Sequence, residues 1–289
     1  MLAHPLPIHP ATKLGVVQLK VRDLERSLTF YQEVIGLRLL RKSGHVAELT
    51  VDGQHPLLIL EADPRYRVLP EQSVSGLYHF AILVPGQVTL GLVLRNLIRH
   101  QIPMGQGDHL VSEALYLSDP DQNGIEIYAD RPRATWQKTA SGEIHMTTDP
   151  VDIQNLLQLS EHAQWNGLPE GTRMGHVHFH VGDLQVAEQF YCGVLGFEVT
   201  LHFGASALFI SAGGYHHHIG LNLWAGKGAP PAPEDAVGIR YFTVELPDVP
   251  ALDAVVSRLD EARVVYTREG NELRLSDPFG IGIKLTVAA

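Results

Sequence analysis

Residues 15–37 read GVVQLKVRDLERSLTFYQEVIGL, and residues 175–197 read GHVHFHVGDLQVAEQFYCGVLGF. The two stretches coincide at Asp23/Asp183, Phe30/Phe190, Tyr31/Tyr191, Val34/Val194 and Gly36/Gly196, an offset of 160 residues (183 − 23). A duplication of this kind decides the architecture before any single element is assigned. A second pair follows. Residues 76–85, GLYHFAILVP, resemble residues 238–247, GIRYFTVELP. Their tails, LYLSDPDQNGIEI from Leu115 and LRLSDPFGIGIKL from Leu273, lie 158 apart (273 − 115). The chain is therefore four modules in the order A, B, A′, B′.

Each module opens on a period-2 apolar strand, as in Val17, Leu19 and Val21. In A and A′ an aspartate, Asp23 or Asp183, then stands where a helix N-cap belongs, ready to accept from a first-turn N–H. A helix of about a dozen residues puts Leu24, Leu28, Tyr31 and Ile35 on one stripe. Gly36 or Gly196 takes the position after it, where a left-handed residue is needed. Further strands follow, including 57–61 and 124–129. A helix with a few strands cannot cover its own sheet, so modules must pair. The expected fold is α+β: four βαβββ modules pairing into two half-open β-barrels. The halves of the chain fall at 10–130 and 172–287. Residues 131–171 match no module and read as a linker with one short helix at 152–160.

Composition narrows the function. Apolar residues make up 45% and charged residues 19% of the chain, as in a globular protein. The net charge of −10 repels phosphate backbones, so no nucleic-acid partner is expected. No apolar run approaches the roughly 18–20 residues that cross a bilayer, so no membrane is expected either. The first residues lack a charged region followed by an apolar one, so no signal peptide is expected. Cys192 is the sole cysteine, which fits a cytoplasmic setting.

The chemistry lies where polar residues break the strands. There are 16 histidines. His176 opens A′, where A has Val16; His79 opens B, where B′ has Tyr241. Glu126 sits between Ile125 and Ile127, where B′ has Lys284. His218 ends the run 215–218 and is aligned with Leu58. Tyr116 is matched by Arg274, and His109 falls near Thr267. These polar groups gather in B and A′ and are lost from A and B′, so one site built from the two central modules is expected. A lone strand histidine is more often structural, and Glu126 alone reads as a rim residue. Together they argue otherwise, because a buried carboxylate is costly unless paired or metal-bound. Two imidazoles and one carboxylate form the ligand set of non-haem iron(II) oxygenases and leave positions open for reactants. A closed tetrahedral zinc site would leave none. His180 and His217 are read as structural, and His216, on the expected strand face of His218, as pocket-lining.

At Gly107-Asp108-His109, Leu115-Tyr116, Asp119-Pro120 and Glu126 the chain resembles the type I extradiol dioxygenases of the vicinal oxygen chelate superfamily. Over most of its length it resembles the bacterial two-domain catechol 2,3-dioxygenases. Gln122 departs from the family's usual glycine, with Gly124 the expected source of the turn. The resemblance implies a small aromatic diol and O2 as substrates, and iron(II) as cofactor with manganese(II) the alternative. It implies His79, Glu126 and His176 as metal ligands and His218 as the acid/base. His109 and Tyr116 would lie beside the substrate, and the assembly would be a homodimer. The family's ligand-bearing modules run A′ then B′; here they run B then A′. Module B is therefore expected to pair with A′, and A with B′, within the chain or across a dimer. Two rivals share the fold: a glyoxalase-like metal-dependent isomerase or lyase, whose second carboxylate would be Glu61, and a non-catalytic small-molecule binding protein.

Overall fold

The computed structural model describes residues 7–288. Module A supplies β1 (Lys13–Val21), β2 (Arg38–Ser43), β3 (Val46–Thr50) and β4 (Pro56–Ala62). Module B supplies β5 (Gly76–Leu83), β6 (Gly105–Asp108), β7 (Ser112–Ser118) and β8 (Gly124–Asp130). Module A′ supplies β9 (Arg173–His180), β10 (Glu198–Phe203), β11 (Ala207–Ser211) and β12 (Ile219–Asn222). Module B′ supplies β13 (Gly238–Leu246), β14 (Tyr266–Glu269), β15 (Glu272–Ser276) and β16 (Gly282–Val287).

These strands form two eight-stranded sheets. One runs β14-β15-β16-β13-β1-β4-β3-β2, the other β10-β11-β12-β9-β5-β8-β7-β6. Each sheet takes one module from each half of the chain: A joins B′ along the antiparallel β1–β13 seam, and B joins A′ along β5–β9. The pairing occurs within one chain. Period-2 alternation then sorts the side chains. In β9, Val177 and Phe179 are fully buried in the core, and Phe179 meets Phe242 of the other sheet with ring centres 5.3 Å apart. The intervening His176, His178 and His180 point to the opposite, concave side.

The caps form as the sequence requires. Asp23 accepts from Arg26 N–H at the start of α1 (Leu24–Thr29), and Asp183 from Gln185 and Val186 N–H at a matching helix, Leu184–Glu188. The expected dozen-residue helix is not α throughout: it continues as a π-wound turn, Phe30–Ile35 in A and Gln189–Val194 in A′. The widened turns carry Tyr31 and Tyr191, both fully buried, whose hydroxyls donate to Asp119 and Asp277 at 3.0 Å. Each bond links A to B, or A′ to B′, and so fastens one sheet to the other. Gly36 and Gly196 both adopt φ 89°, the left-handed conformation that favours glycine.

The stretch between the halves is ordered. Its helix, Ile153–Leu159, lies against the helix of B, Gln87–Arg99, closely enough that a Cβ on Gly91 would meet Leu156 O at 2.3 Å. Asp108 and Asp149 exchange backbone hydrogen bonds of 2.8 and 2.9 Å, laying residues 146–148 across β6. Among the described residues no helix is long and apolar enough to cross a membrane.

Candidate metal centre and its cavity

Three adjacent strands bring the expected trio together. Glu126 on β8 stands opposite Ala81 on β5, and Ala81 stands opposite His176 on β9. His79 lies two residues before Ala81, on the same face. Ala81 is fully buried and has only a methyl group, so the space above it belongs to the other three. The register slips between Leu77 and His79, a bulge at Tyr78 that turns its ring into the concave face beside His79.

His79 Nε2 and His176 Nε2 each lie 3.0 Å from Glu126 Oε2. All three donor atoms lie within 4.8 Å of one another. Neighbouring donors about 2.1 Å from one octahedral divalent ion would stand about 3 Å apart, so the set fits a single ion. All three residues are buried. Despite its 3.0 Å approach, His79 Nε2 makes no hydrogen bond, as when nitrogen and oxygen both direct lone pairs at a third point. Burial drives the His176 imidazole down to about 4, so near neutrality the ring is uncharged and offers a lone pair. Burial pushes the fully enclosed Glu126 carboxyl up, but the His176 and His79 imidazoles outweigh it and hold the group below its usual range. A carboxylate enclosed in this way is costly unless a positive charge balances it, and a divalent cation held by the trio would do so. The residues present fit a metal ion.

His176 lies buried behind the other two of the trio, His79 and Glu126, which line a cavity of about 410 Å³. Its aromatic wall is Phe203, Phe209 and Trp224, and no lysine or arginine lines it. His109 and Tyr116 line it too. His109 Nδ1 faces the Thr147 carbonyl at 2.6 Å, which accepts only, so Nδ1 carries the proton. His109 Nε2 then accepts from the Tyr116 hydroxyl, also at 2.6 Å. Met146, Thr147 and Thr148 close one side of the cavity. They belong to the non-repeating stretch, so no module comparison could find them.

Two expected residues lie elsewhere. His218 is off the cavity wall; its Nδ1 accepts from Ala212 N–H at 3.1 Å, and burial pushes the ring down to about 3. His216 is fully buried, bonded to Asp130 and His217. The cavity histidine of this run is His217, which the sequence reading had taken as structural. The offset of 160 also fails by one residue in this run. Val17 pairs with Leu58 and Val177 with Ile219, so Leu58 corresponds to Ile219, not His218. Residues 215–218 moreover form no strand, so alternation does not apply to them. His178 lines the cavity as well and accepts from Asn222 Nδ2 at 3.0 Å, while His180 Nδ1 bonds the same amide's oxygen.

The turn before Glu126 also differs. Gln122 itself takes the left-handed conformation, φ 68°, at the place where Gly280 of B′ has φ 82°. Gly124 has another duty: a Cβ there would meet Tyr78 O at 1.9 Å, so it lets β8 approach β5. Glu61 lies in the other sheet, held by Arg240, Gln18 and Tyr66.

Comparison with known proteins agrees with this geometry. The model of the Glyoxalase/Bleomycin resistance protein/Dioxygenase superfamily matches residues 13–127 and 173–285. A Bacillus subtilis (strain 168) protein named catechol-2,3-dioxygenase is 54% identical over 272 residues, 94% of this chain and 95% of that one. Two solved structures share the fold at low identity. A Bacillus subtilis protein has a TM-score of 0.64 at 12% identity, covering 98% of this chain and 86% of that one. Maize glyoxalase I has a TM-score of 0.56 at 16% identity, covering 96% and 92%. On the two matched modules pairs and the 54% identity, the chain belongs to the Glyoxalase/Bleomycin resistance protein/Dioxygenase superfamily, and within it stands with the catechol-2,3-dioxygenases.

Proposed function

We propose that the chain is an extradiol ring-cleaving dioxygenase that opens catechol, or a catechol bearing an uncharged substituent, beside its diol. The observation that carries this reading is the buried His79–Glu126–His176 trio, two of whose members, His79 and Glu126, line an aromatic-walled cavity. In this reading the trio holds iron(II), and His176 and His79 present Nε2 while Glu126 presents Oε2. Bound there, the ion would supply the redox chemistry that lets an aromatic diol react with O2.

The other residues bind, orient and carry protons. Phe203, Phe209 and Trp224 enclose the ring and exclude water. Among the described residues His217 Nε2 makes no hydrogen bond, and its ring lies tilted against His176 with centres 4.0 Å apart. It is the group placed to accept a substrate proton and return it to the leaving oxygen, the role the resemblance implied for His218. Tyr116, its hydroxyl donated to His109, offers its oxygen lone pairs to the diol. With no cation on the wall, a carboxylate on the ring would be desolvated without a partner, so catechols bearing one are poor substrates.

The glyoxalase-like reading needs a second carboxylate at the site, and Glu61, in the other sheet, does not supply it. The cytoplasm is the proposed compartment and a homodimer the proposed assembly.

The test is anaerobic loading with iron(II), then exposure to catechol and O2. Consumption of one O2 per catechol with a visible-absorbing ring-fission product supports the reading. Absence of O2 uptake with any uncharged catechol, at full metal occupancy, overturns it.

A further inference from the structure

A chain of hydrogen bonds, buried at the cavity end and partly buried at Asp130, runs outward through residues that no part of the proposed chemistry has used. His217 Nδ1 lies 2.8 Å from His216 Nδ1. His216 Nε2 lies 2.9 Å from Asp130 Oδ1. Asp130 also accepts the Tyr215 hydroxyl at 2.9 Å, and Tyr215 in turn lies 2.7 Å from the Tyr128 hydroxyl. His216 is fully buried and packs against Trp136, with ring centres 5.3 Å apart.

Donor and acceptor chemistry leaves one arrangement when both imidazoles are neutral. An ionised carboxylate can only accept, so His216 Nε2 carries a proton and donates it to Asp130. A neutral imidazole has one N–H, so His216 Nδ1 is bare and must accept. His217 Nδ1 then has to be the donor, and His217 Nε2 is left as a lone pair. That atom has no partner among the described residues, and its residue lines the cavity. Reversing any one bond would set two N–H groups or two lone pairs against each other in a buried place, at the cost of a lost hydrogen bond.

We infer that Asp130 and His216 are positioning residues that fix the tautomer of His217, keeping its Nε2 unprotonated toward the substrate. What the chain fixes is which nitrogen of a neutral ring carries its proton. The inference rests on the proposed role of His217 for its catalytic consequence, but not for the tautomer itself. A merely structural role would require only that Asp130 and His216 fill space and hold the 212–218 loop.

Two variants separate these roles. Asp130→Asn keeps the volume but offers an amide that can donate to His216 Nε2 and so reverse the chain; His216→Phe keeps a ring but ends it. The first readout needs no turnover. Nitrogen-15 NMR of histidine-labelled protein, metal-free and zinc-loaded, reports each ring's protonated nitrogen. Wild type is expected to show His217 as the Nδ1–H tautomer, and Asp130→Asn to move it to the Nε2–H tautomer. The second readout is kinetic. Both variants are expected to bind metal as wild type does and keep KM within about threefold, while kcat falls by about 10²-fold or more. Asp130→Glu should recover part of the loss. An Nε2–H tautomer of His217 in wild type, or a doubly protonated His216, overturns the inference even if the enzyme opens catechol. An unchanged kcat in both variants overturns its catalytic half. Correct tautomers in a protein that turns over no catechol leave the positioning chain standing and sink the proposed function instead.

Discussion

The two half-barrels have one backbone and opposite contents. In the sheet built from B and A′, strand positions carry His79, Glu126, His176 and Tyr116. In the sheet built from A and B′, the same positions carry Tyr241, Lys284, Val16 and Arg274. Cross-strand pairing is the same in both: His79 faces His178 as Tyr241 faces Gln18, and Glu126 faces Tyr116 as Lys284 faces Arg274. Even the bulge recurs, at Tyr78 in one and Arg240 in the other. The silent half answers its own charges internally. Lys284 Nζ and Arg274 both reach Glu272, at 2.5 and 2.7 Å, and both lie over the Tyr241 ring. The counterpart of Glu272 in the active half is Ala114, so a lysine at position 126 would find no carboxylate there. Backbone pairing and core packing thus hold either half, whereas the chemistry depends on a handful of side chains.

The largest effect should come from the carboxylate. Glu126→Gln keeps the shape and removes the charge; it should weaken metal binding by at least about 10²-fold and abolish turnover, measured by metal content after gel filtration. A direct Glu126→Lys copy of the silent half is expected to fare worse, since its ammonium would be buried without Glu272. By contrast Lys284→Ala, in the silent half, should leave metal content and turnover unchanged.

Next comes the proton-carrying ring. His217→Phe should retain metal and lose about 10²–10⁴-fold in kcat, whereas His218→Phe should retain most of its kcat. Equal losses in both would mean that the cavity assignment within this run is wrong.

A smaller effect concerns the two sheet-fastening aspartates. Burial pushes Asp277 up to about 6 from 3.8, and raises Asp119 in the same direction. A carboxyl raised in the folded state favours folding while protonated. Its contribution is therefore full below about pH 4 and is lost as pH rises through about 6. Asp277→Asn should remove a decline on the order of 2 kcal/mol over that window, measured as the difference between the denaturation curves of the two metal-free proteins. A wild-type stability that rises across it as steeply as the variant's would contradict the assignment.

Smallest is the turn. Gln122→Gly, matching Gly280 of the silent half, should stabilise the protein by about 1 kcal/mol or less, read as a shift in Tm.

The duplication made most of this legible. Asp23, Tyr31 and Gly36 recur as Asp183, Tyr191 and Gly196, so caps, tyrosine and helix stop could be placed from the chain alone. The trio was legible because its residues are absent from the sister modules. Two things were not. The turn between β10 and β11 carries one residue more than its counterpart between β2 and β3, since Phe203 pairs with Ala207 where Ser43 pairs with Val46, so an offset of 160 no longer holds at residues 215–218. Those residues moreover form no strand, so no alternation marks which histidine faces the cavity. The wall formed by residues 146–148 was hidden for another reason: the Asp108–Asp149 bridge that lays it down involves backbone atoms only, and leaves no pattern in side chains.

The account's central claim is that His79, Glu126 and His176 meet around a single ion. An anomalous difference map collected at the iron edge from crystals grown anaerobically with iron(II) tests it most directly. One peak per chain, bonded to Nε2 of both histidines and to the Glu126 carboxylate, is the expected result. A peak elsewhere, or none at that trio while the protein turns over catechol, would contradict it.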